Sequence, residues 1–242
     1  MADQDTGTGT GTGTDTGMGT TALRALQGLE DGRPSVRLRA ALAVGTAPDP
    51  RFVGKLIERC GVEPDFSVRE ILTWALTRHA AAGSAPPELL AGLLGEVRSE
   101  GAQARSQALH TLSKIGDRRA WPAITRELLS DADDEVARSA WRAAVVLVPE
   151  GEEPALAAAL SAQLGRGVRE VQLSLSRALI ALGEAIGPAL HAATTDADPR
   201  VRAHAIATQR LLRDPDAGFE FAIEEAKRVV ALGPGAPGAG TC

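Results

Sequence analysis

The stretch Asp196-Ala-Asp-Pro-Arg-Val-Arg-Ala-His-Ala-Ile-Ala-Thr-Gln-Arg-Leu-Leu212 decides the fold. It reads as an acidic turn, then Val-Arg, then a helix with small residues on one face. The phrase recurs with drift at Asp31-Gly-Arg-Pro-Ser-Val-Arg-Leu-Arg-Ala40, Glu63-Pro-Asp-Phe-Ser-Val-Arg-Glu-Ile-Leu72, Ser99-Glu-Gly-Ala-Gln-Ala-Arg-Ser-Gln-Ala108 and Asp131-Ala-Asp-Asp-Glu-Val-Ala-Arg-Ser-Ala140; the weakest copy is Arg166-Gly-Val-Arg-Glu-Val-Gln-Leu-Ser-Leu175. Aligned on the first apolar residue, the anchors are Val36, Val68, Ala104, Val136, Val171 and Val201, at intervals of 32, 36, 32, 35 and 30 residues. A period in this range marks a stacked array. Each period holds two short helices and two turns, which cannot close a core alone and therefore stack on their neighbours.

Counting from the anchor as zero, small or apolar residues dominate offsets 4, 7, 8 and 11, as in Ala108, Thr111, Leu112 and Ile115 or Leu175, Ala178, Leu179 and Leu182. At about 100° per residue these fall on one stripe, and the alanines in it let helices approach closely. Offset −5 carries an acid in Asp31, Glu63, Asp131 and Asp196, placed to cap or electrostatically favour the N-terminus of the following helix. Offset +1 carries Arg37, Arg69, Arg105 and Arg202, and an arginine ladder beside an acid ladder can tie adjacent repeats together.

The pattern resembles HEAT repeats, most closely the HEAT-like repeats named after phycobilisome lyases, over roughly residues 20–213. The resemblance implies an all-α, right-handed α–α superhelix of six helix pairs plus a C-terminal capping helix. It is specific for fold and nearly silent on function, because the family spans scaffolds, transport factors, lyases and DNA-repair enzymes.

Composition fits that fold. Hydrophobic residues make up 44% of the 242 residues but aromatics only 3%, with no Tyr, so the core is one of Ala, Leu and Val, residues that favour or tolerate helix. Net charge is −5, which argues against a general nucleic-acid binder. Basic residues are nearly all Arg, the exceptions being Lys55, Lys114 and Lys227; this reads as the coding bias of a GC-rich bacterium. The two cysteines, Cys60 and Cys242, form neither a disulfide framework nor a metal-ligand spacing. No signal peptide and no run of about 20 apolar residues is visible, so cytoplasm is the expected compartment and no membrane association is expected.

Residues 1–19 are Gly and Thr with a few acids and are expected to be a disordered tail; the array is expected over 20–232, and the Gly/Pro-rich residues 233–242 as a second disordered tail. Within the array, the pattern predicts helices over Val36–Val44, Phe52–Cys60, Ser67–Ala80 and Ala102–Ile115 and, after Asp214-Pro-Asp-Ala-Gly, over Phe219–Leu232 as the cap. Pro122, Pro154 and Pro188 are each expected near the start of a first helix.

In HEAT solenoids the second helix of each repeat lines the concave side. Offsets 2, 6 and 9 point away from the core stripe, and the offset-6 row runs Leu42, Trp74, His110, Arg142, Arg177, Ala207, from apolar and aromatic to basic. Trp and Arg are enriched at interface hot spots. The candidate partner-binding residues are therefore Glu70, Trp74, His110, Arg138, Arg142, Arg177 and Arg210. Trp141 at offset 5 is expected between repeats, and Trp121 in core or on the convex surface. No phosphate loop, nucleophile elbow, zinc-protease motif or Cys-x-x-Cys is found, and no catalytic residue, metal or cofactor is assigned. The reading is a non-enzymatic scaffold or adaptor with a protein or peptide partner. Two alternatives come from the resemblance: an alkylpurine DNA glycosylase-type protein, in which Trp74, Arg138, Arg142 and Arg177 would imitate part of a DNA groove beside Glu70, and a bilin-lyase-like protein.

Overall fold

A computed structural model describes residues 23–232; the expected tails at 1–19 and 233–242 lie outside them. The described chain is all-α. Its elements form six pairs and one further helix: α1 (23–29) with α2 (Pro34–Thr46), α3 (Val53–Val62) with α4 (Phe66–Thr77), α5 (Pro87–Glu96) with α6 (Ala102–Ile115), α7 (Arg126–Leu129) with α8 (Asp134–Leu147), α9 (Glu153–Ser161) with α10 (Arg169–Ala181), α11 (Gly187–Ala193) with α12 (Pro199–Arg213), and α13 (Phe219–Leu232). Among the described residues no strand forms, only an isolated bridge between Ala81 and Ser84. Packing divides the described residues into two compact units, one ending at His79 and the other beginning at Ala80.

In each unit the second helices lie side by side: α2 against α4 in the first, and α6 against α8, α8 against α10 and α10 against α12 in the second. The offset stripe explains this. Ala108, Leu112 and Ile115 of α6, Ala140, Ala143, Ala144 and Leu147 of α8, and Leu175, Ala178 and Leu179 of α10 are all buried. Burying one leucine contributes about 1.5–3 kcal/mol, and the alanines between allow the close approach that makes the burial complete. Trp141 is wholly buried, its Nε1 donating to the Leu129 carbonyl at 2.8 Å with the Arg166 guanidinium 5.9 Å from its ring.

The repeat phrase turns out to be a turn-fastening device. The arginine at offset +1 donates to main-chain carbonyls at offsets −5 and −4: Arg69 to Glu63 and Pro64, Arg105 to Ser99 and Glu100, Arg202 to Asp196 and Ala197, and Arg37 to Asp31. The fourth copy has Ala137 at this offset, and there Arg166 enters from the next turn to bond the Asp131 carbonyl and the Asp134 carboxylate. In the fifth, Gln172 donates to the Gly167 carbonyl at 3.3 Å.

The acid at offset −5 does not cap the helix. It accepts the backbone N–H two residues on, as Asp31, Glu63, Asp131 and Asp196 all do, and closes the turn. The cap is the aspartate at offset −3: Asp65, Asp133 and Asp198 accept backbone N–H groups of the first helical turn. The ladder between repeats is real at two steps. Arg105 reaches Asp131 at 3.2 Å, and Arg37 forks onto Glu63 at 2.7 and 2.6 Å with both side chains buried. Burial works against the Glu63 charge, but the bonds from Arg37, the Asp65 N–H and Arg59 overcome it and hold the carboxyl at about 2.

Pro154 and Pro188 stand in the first turns of α9 and α11 as the sequence predicts. Pro122 does not begin an α-helix. It sits inside a 3₁₀ segment, Arg118–Ala123, and the first helix of that pair shrinks to the four residues of α7. Gly116 ends α6 in the left-handed conformation at φ 73°. The buried Asp117 that follows accepts the Ala85 N–H at 2.8 Å, fastening the turn after α6 to the turn before α5.

Candidate functional site

The faces left by this packing carry the offset-2, -6 and -9 side chains. In the first unit Glu70 and Trp74 stand one turn apart on α4, both exposed. Trp74 keeps 37% of its surface, and its ring lies on Gly45 of α2, where an added Cβ would fall 2.3 Å from the ring. The Trp is therefore half anchored in its own unit, and Gly45 exists as the floor of its seat.

In the second unit, three consecutive second helices enclose a surface cleft of about 540 Å³. From α6 come His110, Ser113 and Lys114; from α8, Arg138, Arg142, Val145 and Val146; from α10, Glu170, Leu173, Ser174, Arg177 and Ala178. Four of the sequence-derived candidates, His110, Arg138, Arg142 and Arg177, are thus brought together. Their elements place them there for one reason: each sits on the side of its helix opposite the buried stripe. Glu70 and Trp74 belong to the other unit. Arg210 lies outside the cleft and forms an ion pair with Glu225 of α13.

The cleft is basic with an apolar floor. Lys114, Arg138, Arg142 and Arg177 face the single carboxylate of Glu170, and Val145, Val146 and Leu173 supply apolar surface. Arg138 is paired with Glu135 one turn before it, and Arg142 donates to the Ser139 hydroxyl at 2.9 Å, which orients both guanidinium groups. Arg177 is exposed, and no ion pair holds it among the described residues. Lys114 and Val146 were not among the sequence candidates although offset 10 lies one turn beyond offset 6; adding i+4 to the row would have found them. Ser106 at offset 2 leaves the face: it is buried, 3.0 Å from the Ser139 hydroxyl.

The face continues past the cleft and is covered there. Ala203, Ala207 and Leu211 of α12 form one buried cluster with Phe219, Ala222, Ile223 and Ala226 of α13, and Leu173 and Ile180 of α10 pack against it. The cap expected at the end of the array lies across the offset-2, -6 and -10 positions of α12. Leu173 touches both regions, so cleft and α13 seat share a wall.

Among the described residues Ser176 Oγ and His204 Nε2 meet at 3.0 Å, and both side chains are fully buried. His204 Nδ1 accepts the Gly165 N–H at 3.0 Å, so the ring proton is on Nε2, which faces the Gln172 carbonyl at 3.0 Å. The ring therefore has no free lone pair to take the Ser176 proton. Burial pushes its pKa down to about 4, against the bond to the Gln172 carbonyl. Among the described residues no cluster of three or more His, Cys, Asp or Glu is placed to hold a metal, and no helix is long and apolar enough to cross a membrane.

A scan against protein-family models finds no match, and neither does a search among curated proteins. Among solved structures the chain is similar to a designed armadillo repeat protein, YIII(Dq)4CqI, at 17% identity and a TM-score of 0.41, over 78% of this chain and 98% of that one.

Proposed function

We propose that this chain is a non-enzymatic interaction module that holds a protein or peptide partner against the exposed face of its second helices. The observation that carries the reading is the cleft between α6, α8 and α10, where four basic side chains surround an apolar floor. The side chains that fill it are guanidinium groups already oriented by Glu135 and Ser139, which lowers the ordering cost of gripping a carboxylate. In this reading His110, Arg138, Arg142 and Arg177 form the contact set of the second unit, and Glu70 and Trp74 are the candidates on the first. Arg210 is already engaged by the chain itself. The DNA-glycosylase alternative needs Trp side chains in its basic groove, and no Trp is among the residues that line this cleft.

The test is affinity capture from the native host with wild-type protein and with an Arg138→Ala, Arg142→Ala, Arg177→Ala variant of unchanged helix content. A partner retained by wild type and lost by the variant supports the reading. Identical captures by the two proteins contradict it.

A further inference from the structure

The chain contains a worked instance of how its own face is occupied. On α13 the buried residues Phe219, Ala222, Ile223 and Ala226 follow helical spacing i, i+3, i+4, i+7, a narrow apolar stripe. Glutamates flank it on both sides. Glu220 and Glu224 pair with Arg169 of α10, and Glu225 pairs with Arg210 of α12. The second-helix face thus takes an amphipathic helix by a small apolar seam clamped between carboxylate–arginine pairs. The uncovered cleft repeats these elements one helix earlier. Leu173 is a wall of both regions, Val145 and Val146 offer the apolar seam, and Arg142, Arg177 and Lys114 stand where carboxylates would meet them.

Resting on the docking function proposed above, we infer that the partner segment is an acidic amphipathic helix, seated in the cleft between α6, α8 and α10 as α13 is seated on α12. Charge complementarity favours this occupant: the cleft has four cationic side chains and one carboxylate. The seat geometry favours a helix over an extended strand, since the described helical face offers no sheet edge for main-chain pairing.

The probe is the segment Phe219–Leu232 synthesised with Lys227→Glu and Arg228→Glu, held helical by one staple on its solvent side and labelled for fluorescence anisotropy. It is added to the full chain. The expected result is binding at least tenfold tighter than a stapled peptide of the same residues in shuffled order, which keeps the charge and loses the apolar stripe. Arg142→Glu with Arg177→Glu should weaken binding at least tenfold, and so should Arg177→Glu alone to a smaller extent, with an unchanged thermal melt. Arg126→Glu, on the exposed surface of α7, should leave it unchanged. Binding should also protect backbone amides of α8 and α10 from hydrogen exchange. Equal binding of the shuffled peptide overturns the inference. So does loss of binding in Arg210→Glu but not in the Arg142/Arg177 variant, because the probe would then have displaced α13. Displacement by sub-millimolar tripolyphosphate at fixed ionic strength, with no protection of α8 and α10 by peptide, reassigns the cleft to a small polyanion and overturns it too. A partner captured through the arginines but lacking an acidic helix leaves the docking function standing and refutes the helix.

Discussion

Replacing Glu63 by Gln should open the first unit. Glu63 is fully buried and accepts on both oxygens: Arg37 Nε at 2.7 Å and Arg59 Nε at 2.9 Å on Oε2, Arg37 Nη2 at 2.6 Å and the Asp65 N–H at 2.9 Å on Oε1. Glutamine keeps one acceptor oxygen and turns an NH₂ toward two donors, while the Arg37 side chain, 5% exposed, loses its counter-charge. The carboxyl's fall from an ordinary 4.5 to about 2 corresponds to roughly 3 kcal/mol of native-state preference for the anion. Breaking a buried pair from one side costs about 3–5 kcal/mol, in agreement. Cys60 supplies the assay. It is 3% exposed, and burial pushes its thiol up to about 11, so alkylation at pH 8 proceeds through opening of the unit. In a Cys242→Ser background, Glu63→Gln should accelerate Cys60 alkylation by about 100-fold, since about 1.4 kcal/mol is a factor of ten. Adding Arg37→Met should recover part of the loss, because it removes the stranded cation. An acceleration below about fivefold, or a double variant with the full sum of both losses, would refute the reasoning.

Two further outcomes follow from buried groups. The His204 pKa in the fold, about 4, lies below the ordinary 6.5, so its contribution is fully present above pH 6.5 and is lost as pH falls from 6.5 toward 4, by roughly 3 kcal/mol in all. Urea unfolding followed by the buried Trp141 should therefore weaken across that window in wild type and less in His204→Gln; parallel pH profiles would contradict it. Gly45→Ala drives a methyl into the Trp74 ring, with the Ala75 Cα also 3.0 Å away. Such overpacking costs about 1–3 kcal/mol, and Trp74 fluorescence should shift to the red; an unshifted spectrum would mean that the ring does not rest on Gly45.

How far the sequence could be read follows from what each feature depends on. Helix α6 is found at the residues its periodicity predicts, Ala102–Ile115, because a helix of 14 residues writes its buried stripe into its own sequence. The anchors, the alanine seams and buried Trp141 are local in the same sense. At offset −5 the expected cap gives way to a turn bond, because two acids, at −5 and −3, compete for neighbouring N–H groups and only backbone geometry decides which one caps. The substitution of Arg166 for the arginine missing at Ala137 joins residues of successive repeats and has no local signal. For α13, the stripe Phe219, Ala222, Ile223, Ala226 announces burial but not against what, and its placement over Ala203 and Ala207 had to be seen. At the candidate site, the offset rows lead to His110, Arg138, Arg142 and Arg177, which share one cleft; offset 2 also falls on Ser106, whose hydroxyl turns inward to Ser139.

The docking claim is tested most directly by where the partner touches. A photoreactive benzoylphenylalanine placed at Ser113, on the cleft wall of α6, is compared with one at Ala158, exposed on the first helix α9. Irradiation in cells followed by mass spectrometry should give a partner cross-linked through position 113 and absent at 158. Cross-linking through 158 with none at 113 would place recognition on the first helices and contradict the account.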